Sequence, residues 1–457
     1  MKIGRCKLLS LISYIIFMTI VTIILNNTND FITLSIIVVS NFIFQIFLFL
    51  KNGYNLFSFA PIFILLGQIF EFGVTILYSI NYDFSSYVLY QLGRVDDGSL
   101  FEAASYAFYC IAATFLGNLI FYNKSRLDVQ ANGDINDAES STFYLRTGWL
   151  FLLVFGFLWG GIQVYNFTLS QYGYLTNVYN SIPSTLLTLG NFMYVGLFFL
   201  MVSSKLKGKK SRAKKFFILS ILLAGISMLA GVRSMGMCII VLLMIYYNAY
   251  IQKFDRKQVI LFVLCGYILL ATLTAIMHVR SIGFSIDGFL EEWVKCITSD
   301  VIFKSLEEFG LTIFVLAHEV SIYNDGGFIH NYLGIFTHEF LVSIPGITYI
   351  YPSIAQEGYD LLGLRALGSS YIADFYYYLG YAGVGFAMLW GGFLGFIDYL
   401  LNKMNLHQNY YKAGTFFVFY ILILSEIRSP FRFGYKVLLL SIMLMYCTKF
   451  FFKRIKV

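Results

Sequence analysis

Five arginines are the residues of this sequence best suited to bind an anion. They are Arg233, Arg280, Arg365, Arg428 and Arg432. A guanidinium presents a planar fork of N–H donors that matches phosphate geometry, and it keeps its charge at every relevant pH. If the five lie on one face of the folded chain, they predict a binding site for a phosphate or a diphosphate. The alternative is that each arginine extends to the head groups of lipids.

Histidine and acidic side chains supply candidates for proton transfer. His338, Glu339 and Asp374 could each take a proton from a hydroxyl near neutral pH, which is the role of a general base. Asp374 follows Ser370 by four residues, so it could instead brace or cap a helix. The histidines that lie near His338 in the sequence lack the spacing that would place two metal ligands on one face of a helix. We therefore predict no metal site and no cofactor.

Glu71 differs from the other acids because it lies inside a long apolar run. An ionisable group at membrane depth is costly, so it usually faces a cavity or pairs with a cation. We predict that Glu71 lines a cavity and that one of the five arginines is its partner. A purely structural ion pair is the alternative.

The elements that must position these residues are membrane-spanning helices. Of the 457 residues, 58% are hydrophobic and only 12% are charged, which is outside the range of soluble domains. A bilayer is crossed by about 20 apolar residues. The sequence therefore predicts an all-α, polytopic transmembrane bundle of about twelve spans, with 1–457 as a single domain. The candidate runs lie near 8–25, 31–50, 57–80, 102–122, 148–167, 185–203, 216–232, 235–252, 258–277, 382–401, 410–427 and 436–452.

Basic residues set the orientation of these spans, because Lys and Arg of short loops collect on the cytoplasmic side. With the N-terminus inside, Lys51, Lys403, the segment 205–215 and the C-terminal tail all fall on that side. The five arginines fall on the opposite, outer side. We predict that both termini are cytoplasmic and that the outer face carries the function. Topology thus explains the net charge of +7, and we expect no nucleic-acid partner.

The segment 278–381 is the one long polar stretch, and we predict that it forms a large outer loop or lid. Phe289 and Trp293 recur within it at helical spacing, which favours a helix on the membrane surface. Two further runs, 309–323 and 332–351, are apolar enough to enter the membrane. If both cross it, the number of spans rises to about fourteen, but the first run is short for a span.

One stretch of the chain resembles a known family. Residues 368–383 read Gly-Ser-Ser-Tyr-Ile-Ala-Asp-Phe-Tyr-Tyr-Tyr-Leu-Gly-Tyr-Ala-Gly and resemble the corresponding region of O-antigen polymerases of the Wzy type. The segment Gly231, Val232 and Arg233 also fits that pattern. The layout is similar over nearly the full length, with many spans, a long outer loop and a basic tail. In residues, the resemblance rests on these two motifs.

The resemblance implies a metal-independent glycosyltransferase of GT-C-like architecture in the bacterial inner membrane. It would join oligosaccharide repeat units, each carried on undecaprenyl diphosphate, at the periplasmic face. The five arginines would then meet the charge that develops on the leaving diphosphate. The expected partners are these lipid-linked glycans, membrane lipids, a chain-length regulator and a flippase.

A structural or assembly membrane protein without catalysis would leave the outer arginines unexplained. Two further rival functions remain open at this point. An O-antigen ligase would have similar chemistry and layout and would differ only in its acceptor. A flippase for lipid-linked oligosaccharides would share the membrane and the substrate. It should, however, have short loops on both sides and charges along a central cavity, whereas this chain concentrates them on one face.

Overall fold

The computed structural model describes most of the chain, and every regular element within the described ranges is a helix. This agrees with the all-α fold that the apolar composition predicts. The described ranges are 5–121, 137–170, 182–230, 233–282, 286–298, 301–344, 347–351, 369–406 and 409–454.

The helices are numbered here in chain order. They are α1 (Arg5–Leu25), α2 (Phe31–Lys51), α3 (Phe59–Ser79), α4 (Ser86–Leu92), α5 (Asp97–Phe121), α6 (Asp137–Ser170), α7 (Ser184–Leu206), α8 (Lys210–Leu229), α9 (Arg233–Tyr246), α10 (Arg256–Ile282), α11 (Ile286–Thr298), α12 (Val301–Phe309), α13 (Thr312–Asn324), α14 (Gly334–Ser343), α15 (Ile347–Ile350), α16 (Tyr371–Leu379), α17 (Gly383–Leu406), α18 (Tyr410–Ser425) and α19 (Tyr435–Arg454). A π-helical turn, Tyr247–Ile251, follows α9, and a 3-10 turn, Gly380–Ala382, joins α16 to α17.

Nine helical segments within the described ranges are long and apolar enough to cross a bilayer. They correspond to nine of the predicted runs. The other three runs, 216–232, 258–277 and 410–427, fall on α8, α10 and α18. Of these, α18 is apolar but has only 16 residues. The chain is thus a multi-pass helical membrane protein, while the number of twelve spans stays a prediction.

The residues divide into two compact units. The first unit comprises residues 1–126, 303–400 and 426–433. It contains α1 to α5, α13 to α16 and most of α12 and α17. The second unit comprises residues 127–302, 401–425 and 434–457, and contains α6 to α11, α18 and α19.

The apolar run 309–323 belongs to the core of the first unit. It forms α13, which contacts α3, α5 and α16, and residues 312–320 along it are all buried. The hydroxyl of Thr312 donates to the carbonyl oxygen of Phe70 over 2.5 Å. The backbones approach closely here, because a Cβ added to Gly310 would lie 2.2 Å from the backbone nitrogen of Val74 on α3. A helix of 13 residues is about 20 Å long and too short to cross the bilayer, so its apolar face is covered by protein instead.

If successive helices cross the membrane in opposite directions, the end of one span lies beside the start of the next. Two hydrogen bonds between helix ends in the first unit agree with this arrangement. Tyr78, near the end of α3, donates a hydrogen bond of 3.1 Å to Asp97 at the start of α5. At the other end of α5, the ammonium of Lys7 donates to the carbonyl oxygen of Ile120 over 2.8 Å. The start of α1 and the end of α5 therefore share one end of the unit, while the end of α3 and the start of α5 share the other.

The second unit is held together by close helix pairs. A Cβ added to Gly196 of α7 would lie 2.8 Å from the carbonyl oxygen of Gly148 of α6. Helix α18 packs on α7, α9 and α19. Helix α11 contains Phe289 and Trp293, so the helix predicted there is confirmed, while its place on the membrane surface stays a prediction. Its apolar side packs on α10, where the indole N–H of Trp293 donates to the hydroxyl of Thr272 over 2.9 Å.

Candidate functional site

Three buried acids from three helices lie in the core of the first unit. Glu71 of α3 and Glu319 of α13 are fully buried, and Asp374 of α16 is 3% exposed. Burial raises the pKa of Glu319, and the nearby charges of Asp374 and Glu71 raise it further. A carboxyl with a raised pKa keeps its proton closer to neutral pH. Burial and the two neighbouring acids therefore all disfavour the charged form of Glu319.

Asp374 ties α16 to the loop that carries two of the predicted arginines. Its Oδ2 atom accepts a hydrogen bond of 2.6 Å from the backbone N–H of Phe431. The N–H of Tyr371 donates to the carbonyl oxygen of Glu426 over 2.9 Å, which fixes the other end of the loop. Ser370 is the N-cap of α16, where its hydroxyl accepts from the N–H of Ala373. Asp374 thus holds the loop 426–433, whereas its spacing from Ser370 had suggested the bracing or capping of a helix.

Arg428 is the predicted anion-binding residue whose surroundings the structure describes most fully. Its guanidinium lies 3.9 Å from the carboxylate of Glu308 on α12 and 5.9 Å from the centre of the Phe70 ring. The Arg428 side chain is 24% exposed, whereas that of Glu308 is only 8% exposed. Arg428 therefore pairs with Glu308, whereas the sequence argument expected one of the five arginines to pair with Glu71. At 3.9 Å the pair is longer than a hydrogen bond.

Arg432 follows in the same loop and is exposed. Its backbone N–H donates to the buried carboxylate of Glu426 over 3.4 Å. The loop 426–433 therefore places two guanidinium groups on one short segment, with its backbone held by Glu426 and Asp374. Such a segment can present positive charge to an anionic ligand from a fixed scaffold.

Glu71 lies beside the hydroxyl of Ser370, at the start of the same α16. Among the described residues no Lys or Arg comes within ion-pair distance of its carboxylate, and neither carboxylate oxygen has a hydrogen-bond partner of good geometry. Glu71 lies in the core that carries Asp374 and the arginine loop, but the described residues do not include the arginine partner that the sequence argument expected.

The remaining predicted residues are spread over the two units. His338 lies on α14 of the first unit and is half-buried, and Glu339 follows it on the same helix. Arg233 is the first residue of α9, and Arg280 lies near the end of α10, both in the second unit. The side chains of Glu339, Arg233 and Arg280 lie outside the described part of the structure. Arg365 falls in the segment 352–368, which is not described.

His318 contributes no positive charge to the site at neutral pH. Burial lowers its pKa to about 4, and the positive charge of Arg94 acts in the same direction. Within the described ranges, no three His, Cys, Asp or Glu side chains are arranged to hold a metal ion. The groups that the structure brings together near Arg428 are thus arginines and carboxyls.

Three acids of this region were not among the residues predicted from the sequence. They are Glu308, Glu319 and Glu426. Glu426 closes the apolar run 410–427 in the way that Glu71 interrupts an earlier run, so the rule that flags acids at membrane depth could have found it. Glu319 lies inside the apolar run 309–323, so the same rule could have found it as well. Glu308 precedes that run in the polar segment 278–381, and only its burial reveals it.

The comparison with known families agrees with the geometry. The family model of the O-antigen polysaccharide polymerase Wzy matches residues 9–456, which is nearly the whole chain. No curated protein and no solved structure matches the chain. The match extends over both units, so the two motifs of the sequence argument are parts of a likeness along the full length. The chain belongs to the O-antigen polysaccharide polymerase Wzy family.

Proposed function

We propose that the protein joins oligosaccharide repeat units carried on undecaprenyl diphosphate into O-antigen, at the periplasmic face of the bacterial inner membrane. Membership of the Wzy family supports polymerisation of O-antigen polysaccharide by a glycosyltransferase-type reaction. The finer proposal depends chiefly on Arg428, which is partly exposed and lies on a braced loop beside a buried acid. A leaving lipid diphosphate needs a fixed cationic donor of this kind.

In the proposed reaction, a hydroxyl oxygen of the acceptor glycan bonds to the anomeric carbon of the donor glycan. The bond from that carbon to the diphosphate oxygen breaks, and undecaprenyl diphosphate leaves with the bonding electron pair. A general base takes the hydroxyl proton. Guanidinium donors from Arg428 and Arg432 offset the charge that develops on the diphosphate, so this proposal requires no metal ion.

The three base candidates are not equivalent in their surroundings. Asp374 is buried, and its Oδ2 atom already accepts the N–H of Phe431 at 2.6 Å. We therefore assign Asp374 to positioning of the arginine loop. His338 on α14 is half-buried and stays a candidate for the base, as does Glu339 beside it.

Removal of the gene tests the proposed function directly. We expect the surface polysaccharide on a gel to change from a ladder of long chains to a single repeat unit on the core, with the ladder restored by the intact gene. Complete loss of attached glycan would instead identify a ligase or a flippase. An unchanged ladder would contradict all three functions.

The proposed orientation predicts the outcome of reporter fusions. Twelve spans with both termini inside place Gly327 outside and Lys210 inside. Alkaline phosphatase is active only outside the cytoplasm, so we expect activity for a fusion after Gly327 and none after Lys210. The reverse pattern would place the loop 426–433 on the cytoplasmic side and contradict the proposed site.

A further inference from the structure

A polar recess lies in the first unit, and no residue of the arginine loop 426–433 lines it. It is a cavity of about 560 Å³ between the end of α1, the loop 26–30, the start of α2 and the first three turns of α5. This volume is within the range of small-molecule sites. Its lining combines amides, carboxylates, a hydroxyl and aromatic rings: Asn26, Asn29, Phe31, Asp97, Glu102 and Tyr109 are among the residues that contribute.

One face of α5 forms much of the cavity wall. Gly98, Phe101, Glu102, Ser105 and Tyr109 all line the cavity, and spacings of three and four residues place them on the same side of the helix. The Ser105 hydroxyl oxygen is buried and has no hydrogen-bond partner in the described part of the chain. Ser105 therefore brings a hydrogen-bonding group to the wall that the described residues do not use.

The two carboxylates of the wall are held in place from behind. Asp97 accepts the hydroxyl of Tyr78 over 3.1 Å. Glu102 accepts the amide of Asn324 over 3.2 Å and also the hydroxyl of Tyr381. A carboxylate offers about four lone-pair sites, so these partners leave further acceptor capacity. The carboxylates of Asp97 and Glu102 therefore have fixed positions from which they can accept further hydrogen bonds.

The aromatic rings of the cavity are also fixed. The Phe31 ring meets Tyr78 edge-on with ring centres 5.0 Å apart, and meets Phe101 edge-on at 5.6 Å. Tyr109 contributes a second ring from α5. A saccharide ring carries hydroxyls around its edge and C–H groups on its faces. Oriented acceptors together with apolar ring surfaces therefore match both parts of a sugar.

The geometry points to a glycan subsite: we propose that the cavity between the loop 26–30 and α5 binds sugar residues of the repeat unit. The lining includes Asp97 and Glu102 but no Lys or Arg. A diphosphate would be repelled there, so the subsite takes neutral or amino sugars rather than the lipid-linked diphosphate or an acidic sugar. The subsite rests on the proposed function, since it assigns the glycan part of the same substrate to a place separate from the arginine loop.

Binding of the free glycan tests the subsite independently of polymerisation. The probe is the single-repeat oligosaccharide, released by mild acid from a strain that lacks the gene and then purified. Its binding to the full-length protein in detergent is followed by saturation-transfer NMR. We expect Ser105→Trp, which fills the cavity, and Asp97→Asn, which removes a charged acceptor, to weaken binding by about tenfold or more, as the loss of one or two hydrogen bonds would. Ser86→Trp, on the exposed surface of α4, is the matched control and should bind like the wild type.

Two further measurements separate the subsite from the diphosphate site. Inorganic diphosphate should not displace the oligosaccharide, and Arg428→Ala should bind it normally. In cells, Ser105→Trp and Asp97→Asn should shorten the O-antigen chains, while Ser86→Trp should not. Because Ser105→Trp replaces a partly buried residue, Asp97→Asn decides the result if the larger substitution lowers the level of folded protein.

Several outcomes would overturn the subsite. One is a wild-type protein that builds the ladder but does not bind the oligosaccharide at millimolar concentration. Another is unchanged binding in folded Ser105→Trp and in Asp97→Asn, and a third is displacement by diphosphate. If the gene proves unnecessary for the ladder, the proposed function fails. Oligosaccharide binding that is lost in Asp97→Asn would still support the cavity as a glycan site in that case.

Discussion

Cells that carry Arg428→Ala in place of the wild-type protein should produce single repeat units instead of long O-antigen chains. The guanidinium of Arg428 is partly exposed on a loop that Asp374 braces, so it is placed to donate to a leaving diphosphate. A hydrogen bond to a charged group contributes about 1.5 to 3 kcal/mol, and the loss of one should slow transfer by roughly one to two orders of magnitude. The measurement is the chain-length distribution on a gel.

Arg428→Lys should show a severe loss as well. Lysine keeps the positive charge but lacks the two-pronged donation with which arginine binds phosphate. Arg94→Ala is the matched control, because Arg94 is an exposed arginine of the same unit that also lies near an aromatic ring, with 5.6 Å to the centre of Tyr90. We expect normal chain length for this control.

A second variant separates the catalytic role of Arg428 from a structural one. Removal of the arginine takes away the positive charge that lies 3.9 Å from the buried carboxylate of Glu308, and breaking a buried ion pair costs about 3 to 5 kcal/mol. The double variant Arg428→Ala with Glu308→Gln removes both charges of this pair. If Arg428 acts on the diphosphate, the double variant should be stable and still lack long chains. Recovery of long chains in the double variant would show that Arg428 serves only to neutralise Glu308.

Gly117→Val should prevent the first unit from packing. A Cβ added to Gly117 of α5 would lie 1.8 Å from the carbonyl oxygen of Met388 on α17. The approach is reciprocal, because a Cβ added to Gly391 would lie 1.8 Å from the carbonyl oxygen of Thr114. Glycines allow membrane helices to approach this closely, and a side chain must force the two backbones apart. Overpacking usually costs about 1 to 3 kcal/mol, and a backbone clash falls at the upper end or beyond.

Thermal unfolding in detergent and the amount of protein in the membrane measure this effect. Gly160→Val is the matched control, because a Cβ added to Gly160 of α6 meets no atom within 4 Å. We expect a large loss of stability in Gly117→Val and little change in Gly160→Val. Equal stability of the two variants would mean that α5 and α17 do not cross at Gly117 as described.

The number and type of elements were largely predictable because a membrane helix is a local property of the sequence. A run of about 20 apolar residues forms all its backbone hydrogen bonds within one helix, and its side chains are compatible with lipid. The predicted runs accordingly correspond to helices, including the three that fall on α8, α10 and α18. The run 309–323 was more difficult. Its composition indicates burial, but composition alone does not distinguish burial in lipid from burial among α3, α5 and α16.

The site was predictable in its residue types but not in its pairings. Arginines on the side opposite the basic loops suggested an anion site, and an acid within an apolar run suggested a role for Glu71. That Glu308 pairs with Arg428, and that Asp374 holds the arginine loop, follows from contacts between residues 120 and 57 positions apart in the sequence. Such contacts depend on which helix faces meet.

The sequence by itself therefore determined the class of protein, the helical elements and the types of residue available for chemistry, because hydropathy and charge act within each segment. Only the tertiary structure decided which acid pairs with Arg428 and that the loop 26–30 and α5 line a common cavity. Packing at close crossings such as that of Gly117 with Met388 selects those neighbours. Which residues become neighbours depends on how the faces of two helices fit each other, and the sequence of one helix alone does not specify that fit.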